Sequence, residues 1–97
     1  MFDKMKQLMD MQKKAQELKR QLDTTFFDVS SPDGMVKITM SGSQEVKEVI
    51  LQDGFQSSEK SSLEKSIKEA YNRGIKRCHE IASQKMKEVT GFSLPGL

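Results

Sequence analysis

Tryptophan is absent from the 97 residues, and cysteine, histidine and tyrosine each occur once. A lone Cys78 allows neither an internal disulfide nor a cysteine-cluster metal site, and it suits a reducing, cytoplasmic compartment. With no Trp, and with Tyr71 and the phenylalanines in apolar settings, there is no stacking platform for single-stranded nucleic acid. Phosphate-binding glycine loops, metal-ligand spacings and paired carboxylates are also missing, so no cofactor is implied. Asp3, Lys4, Lys6 and Asp10 break up the amino-terminal apolar residues, and no run approaches the length of a membrane span. Cys78 and His79 are adjacent, and neighbours on a helix point in different directions, so they do not form a nucleophile and its base. Cys78 falls on an apolar stripe, as a packing thiol would, and His79 falls toward solvent.

What the chain does have is helical length. From Glu59 to Val89 there is no proline, and Leu63, Ile67, Ala70, Tyr71, Gly74, Ile75, Cys78, Ile81 and Ala82 recur at steps of three and four. The spacing predicts a helix over about 59–89, some 45 Å long, which is more than a compact domain of this mass can cover. Part of it must project or pack on another long helix. Glycine costs about 1 kcal/mol relative to alanine inside a helix, so Gly74 suggests close approach of a neighbouring element. With 35% hydrophobic and 31% charged residues, a chain this small is short of core, and dimerisation would relieve that.

A second helix is predicted over about 3–22. Leu8, Met11, Ala15, Leu18 and Leu22 form a heptad seam, flanked by a row of Asp3, Asp10 and Glu17 and a row of Lys6, Lys13 and Arg20. Three heptads are marginal alone, and the long helix is the natural partner. Between the helices the period drops to two. Strands are predicted over about 25–30, 35–41 and 45–51, with Pro32-Asp33-Gly34 and Ser41-Gly42-Ser43-Gln44 as the turns. They should form an antiparallel meander. Ser57 or Ser58, or Ser61 with Glu64, can cap the long helix, and residues 90–97 form an apolar tail. The fold class is α+β, with order α-β-β-β-α over one domain, 1–97. Lys85 interrupts the apolar stripe, so the seam between the helices should loosen before Val89, leaving that end as a mobile contact point.

Charge is distributed unevenly. Residues 1–22 carry six basic against three acidic side chains and residues 59–97 eight against five, whereas the middle carries two against six. Basic helices flanking an acidic sheet would turn a polyanion toward the helices. On the long helix Lys65, Lys76 and Lys87 are eleven residues apart and line one outward row, with about 16 Å between members. Glu69 and Glu80 interrupt it and can pair with its lysines.

Four stretches together resemble the YbaB/EbfC family of bacterial nucleoid-associated proteins. They are Met5-Lys6-Gln7-Leu8-Met9 through Ala15-Gln16-Glu17-Leu18; Asp33-Gly34-Met35-Val36-Lys37-Ile38-Thr39-Met40-Ser41-Gly42; Glu69-Ala70-Tyr71-Asn72-Arg73-Gly74; and Lys85-Met86-Lys87-Glu88-Val89-Thr90-Gly91 with Leu94-Pro95-Gly96. The resemblance implies a homodimer joined through its sheets, with paired helices projecting like the arms of a tweezer and gripping double-stranded DNA in the nucleoid. Gly74 stands where the family usually has alanine, and Leu51-Gln52-Asp53-Gly54 replaces the family's Ile-Asp-Pro segment. The residues expected to contact phosphates are Lys6, Lys13, Lys14, Arg73, Lys76, Arg77 and Lys87. The competing reading is a non-enzymatic adaptor that docks proteins on a Met-rich tip formed by Met1, Phe2, Met5 and Met9.

Overall fold

The centre of the sheet is the strand whose alternation is cleanest. The computed structural model describes residues 2–57 and 59–90. Its elements are α1 (Phe2–Thr24), β1 (Phe26–Ser30), β2 (Val36–Ser41), β3 (Val46–Leu51) and α2 (Lys60–Thr90), with a 3-10 turn at Phe55–Ser57. The order is the predicted α-β-β-β-α, and the boundaries agree within one or two residues. Ser58 and residues 91–97, including most of the apolar tail, lie outside the described residues. The α2 helix starts on neither Ser57 nor Ser61. The carbonyl of Glu59 accepts its first bond, from the Leu63 amide at 3.0 Å.

Strand β2 lies between β1 and β3, antiparallel to both. A period of two sends Val36, Ile38 and Met40 to one face, where all three are buried. Phe27 pairs with Met40 and Val29 with Ile38, extending that face across β1. The register with β3 slips between Thr39 and Met40, so that Met40 pairs with Val46 and the strand bulges at Lys47. Phe26, which breaks the alternation, points to the outer face, and the Lys47 ammonium lies 5.8 Å from its ring centre.

The α2 helix runs along the inner face in the direction of β2. At one end Ser66 donates a hydrogen bond to the Asp33 carboxylate in the β1–β2 turn. At the other, the Cys78 thiol donates to the Ser41 carbonyl at 3.3 Å. Between them Ala70 and Gly74 let the helix axis come close. A Cβ built on Gly74 would overlap the Met40 sulfur and lie 3.3 Å from Val29 Cγ2. The glycine therefore marks a close approach. The helix covers β1 and β2 but leaves part of its own stripe open, since Ile67 and Tyr71 are 41% and 42% exposed. Arg73 donates to the Ser30 carbonyl on the β1 side at 3.0 Å. Tyr71 lies about 200° around the helix from Arg73, hence toward β3. There Val46 and Val49 are also exposed.

Past Cys78 the helix outruns the sheet, and α1 joins it. The Gly42 amide donates to the Thr25 carbonyl at 2.9 Å, and a Cβ at Gly42 would stand 3.1 Å from the Leu22 carbonyl oxygen, so α1 leaves from the same end of the sheet. Leu18 and Leu22 are half-buried on α2, while Leu8 and Met11, on the same seam, are exposed. The result is an elongated body with extents of 67 × 23 × 17 Å. The predicted loosening before Val89 does not occur. Lys85 keeps its stem half-buried and pairs with Glu88 at 3.6 Å, and Val89 remains half-buried.

Candidate nucleic-acid interface

Whether a base can serve a phosphate depends first on whether an acid or carbonyl of its own chain already holds it. Of the seven residues expected to contact DNA, two are engaged. Arg73 spends a guanidinium donor on Ser30, tying α2 to the edge of the sheet. Arg77 pairs with Glu80 at 3.1 Å. Among the described residues Lys6, Lys13, Lys14, Lys76 and Lys87 make no ion pair, and all five are exposed. Exposed ion pairs contribute little to stability, but each one lowers the charge a polyanion meets.

The five free lysines belong to two helices. Lys76 and Lys87 lie on the side of α2 that faces away from the sheet, eleven residues and about 16 Å apart. The third member of their row, Lys65, is paired with Glu69 at 3.8 Å. Glu80 neutralises Arg77 in preference to Lys76, which leaves the row open at its centre. On α1 the pattern of acids three residues before bases yields a single bridge. Arg20 grips Glu17 through two nitrogens at 2.5 and 3.0 Å, and Gln21 donates to the same carboxylate, which brings the Glu17 pKa down to about 2. The other two acid–base steps, Asp3 to Lys6 and Asp10 to Lys13, form no bridge among the described residues, so these lysines stay available.

Lys13 and Lys14 line an open cleft of about 400 Å³ between the two helices, together with Glu17, Gln21, Glu88 and Val89. Both acids of this cleft are already held, Glu17 by Arg20 and Glu88 by Lys85. The cleft therefore presents two uncompensated ammonium groups. Lys4 is exposed near the tip of α1 and Lys68 on α2, and neither makes an ion pair among the described residues. The sequence reading passed over both, although Lys4 has no acid three or four residues away to pair with.

The remaining reactive groups are placed apart. Cys78 is buried, and burial pushes its thiol pKa up, while His79 is exposed. Among the described residues no group of three potential metal ligands forms, and no helix is long and apolar enough to cross a membrane.

The chain is 35% identical over 99 residues to a nucleoid-associated protein of Prochlorococcus marinus (strain MIT 9515), an alignment covering 95% of this chain and 82% of that protein. It is also similar to the crystal structure of an uncharacterized protein from Helicobacter pylori, with a TM-score of 0.71 and 25% identity, covering 82% of this chain and 86% of that one. The model of the YbaB/EbfC DNA-binding family matches residues 1–93, and the chain belongs to that family.

Proposed function

We propose that this protein is a non-catalytic component of the bacterial nucleoid that binds double-stranded DNA as a homodimer, with 1–97 acting as one domain. The observation that carries the reading is that five of the lysines expected to contact phosphates, Lys6, Lys13, Lys14, Lys76 and Lys87, have no acid partner among the described residues. Ammonium groups on mobile stems meet phosphates as point charges and do not read base edges, so binding orders DNA without strong sequence preference. Arg73 and Arg77 then act within the fold, bracing α2 against β1 and offsetting Glu80.

Dimerisation is supported by the open apolar surface beside β3. Val46 and Val49 on β3 and Ile67 and Tyr71 on α2 are exposed, and β3 is an edge strand with unpaired backbone groups. A second copy joined there through its sheet would bury these residues and set two arms on one body, as in a tweezer. Two arms double the phosphate contacts available to one.

Salt-titrated binding to a labelled duplex, on protein whose mass in solution is measured by light scattering, tests both parts. Dimer mass and a steep fall of affinity with salt are expected. A monomer, or affinity indifferent to salt, would sink the reading. A second reading, an adaptor that docks proteins on the arm tip, rests on the exposed Met5, Leu8 and Met9. A pull-down that depends on those residues and survives loss of the five lysines would favour it.

A further inference from the structure

The side of α2 turned away from the sheet has a period of its own. Ala70 is fully buried beneath the helix, so the direction opposite it points to solvent. At about 100° per residue, His79 falls directly opposite Ala70, with Lys68 and Asn72 within roughly 20° of that direction, Lys65 and Ser83 within roughly 40° and Lys76 within roughly 60°. Steps of three and four separate these residues, so they form one track along the helix. All but Ser83 are exposed. Glu69 and Glu80, the acids of this stretch, stand about 80° and 100° off the line, and each is held by a base, Glu69 by Lys65 and Glu80 by Arg77. The track itself contains no acid.

The first helix leaves this side open. Glu88 lines the cleft between α1 and α2 and lies about 180° round α2 from His79. On α1, Glu17 lines the same cleft, whereas Lys19 and Asp23 lie about 160° and 120° round from it, toward the side that His79 shares. The charged groups about His79 are therefore Lys76, one turn before it, and Glu80 beside it on α2, with Lys19 and Asp23 on α1. Among the described residues Lys19 and Asp23 are exposed and make no ion pair.

Resting on the reading of this protein as a DNA-binding dimer, we propose that His79 is a phosphate contact within the track and that its protonation strengthens binding to the duplex. Imidazole is the side chain that ordinarily changes charge between about pH 5 and 8, and the chain has one histidine. Along the axis His79 stands about 4.5 Å from Lys76 and about 12 Å from Lys87. Neutral, it leaves a gap in the positive charge between them; protonated, it closes that gap. A phosphate held there favours the imidazolium, so binding takes up protons and affinity rises as pH falls through this range.

The test is fluorescence anisotropy of a labelled duplex with the whole chain, titrated with salt at about pH 8 and about pH 5.5, with circular dichroism and light scattering at both. Two imidazolium contacts per dimer at roughly 0.9 each should steepen the slope of log affinity against log salt by about 1.8 at the lower pH. At about 0.1 M salt the affinity should rise at least about tenfold. His79→Gln should keep the shallower slope at both pH values, and His79→Lys the steeper one. A steep slope indifferent to pH, or a pH response that survives His79→Gln, would overturn the proposal and leave the DNA reading standing. Affinity indifferent to salt at both pH values would overturn the two together. As an independent readout, the single imidazole resonance should titrate at higher pH with the duplex bound than without it. Coincident titrations would rule out the contact.

Discussion

Replacing Lys76 and Lys87 by glutamine should weaken DNA binding far more than replacing Arg77, although all three lie on one helix. Lys76 and Lys87 have no acid partner among the described residues, whereas the Arg77 guanidinium lies 3.1 Å from a Glu80 oxygen and must give up that pairing to reach a phosphate. Each phosphate contact contributes roughly 0.9 to the slope of log affinity against log salt, so ten lysines in a dimer, if all engage, set a slope near −9. Removing two per protomer takes away four contacts and should bring the slope to about −5. Between about 50 and 200 mM salt the unmodified protein would then lose roughly five decades of affinity, and the double variant about three. Fluorescence anisotropy with a labelled duplex measures this directly, with circular dichroism and light scattering to confirm that fold and mass are unchanged. A slope unaltered by the two lysine changes, or an equal loss for Arg77→Gln, would refute the assignment of free and engaged bases.

Four further outcomes follow from the packing. Gly74→Ala gains about 1 kcal/mol of helix propensity but forces a methyl into the buried Met40 sulfur, a clash that typically costs about 1–3 kcal/mol; urea unfolding should show net destabilisation, and a more stable variant would contradict the close approach. Gln44 holds φ at 70° in the β2–β3 turn, so Gln44→Gly should raise stability by about 1 kcal/mol in the same assay, and no gain would mean the strain is absent. Asp33 accepts bonds from Ser31, Ser66 and the Met35 amide, which bring its pKa from 3.8 down to about 2. A depressed folded pKa stabilises above the unfolded value and loses that contribution as pH falls from about 4 to about 2, so Asp33→Asn should flatten acid unfolding in that window. Val49→Asp places a charge on the open surface beside β3 and should yield monomers by light scattering, whereas an unchanged dimer would put the interface elsewhere.

The elements were legible because their periods were clear. Val36, Ile38 and Met40 alternate strictly and became the buried face of β2, and the three-and-four spacing of Leu63 to Ala82 became one helix. Periodicity gives the width of an apolar stripe but not the width of what covers it. That is why Ile67 and Tyr71, on the apolar stripe of the helix, are exposed: the helix lies over β1 and β2, and β3 is left at its side. Ser66 and Asp33 are 33 residues apart, and nothing local announces their bond. The choice among bases was equally hidden. Glu80 can reach Lys76 at four residues back or Arg77 at three, and the guanidinium takes it, with consequences for which positive charge remains free.

The distribution of free and engaged bases along the molecule explains how one helix can serve two ends. Over the sheet, α2 needs small residues beneath it and anchors beside it: Ala70, Gly74 and Cys78 admit the axis, and Arg73 and Ser66 fasten it to Ser30 and Asp33. Here most bases are spent, since Lys60, Lys65, Arg73 and Arg77 each hold an acid or a carbonyl, and among the described residues Lys68 and Lys76 are the exceptions. Along the arm no sheet remains to be gripped, and Lys6, Lys13, Lys14 and Lys87 stay without acid partners among the described residues. A polyanion approaching the molecule therefore meets its strongest attraction where the chain has least packing to lose by moving side chains toward it. Lys76, at the foot of the arm and about 16 Å from Lys87, extends that attraction back to the body, so a duplex lying along α2 can touch both without disturbing the contacts that hold the helix to the sheet.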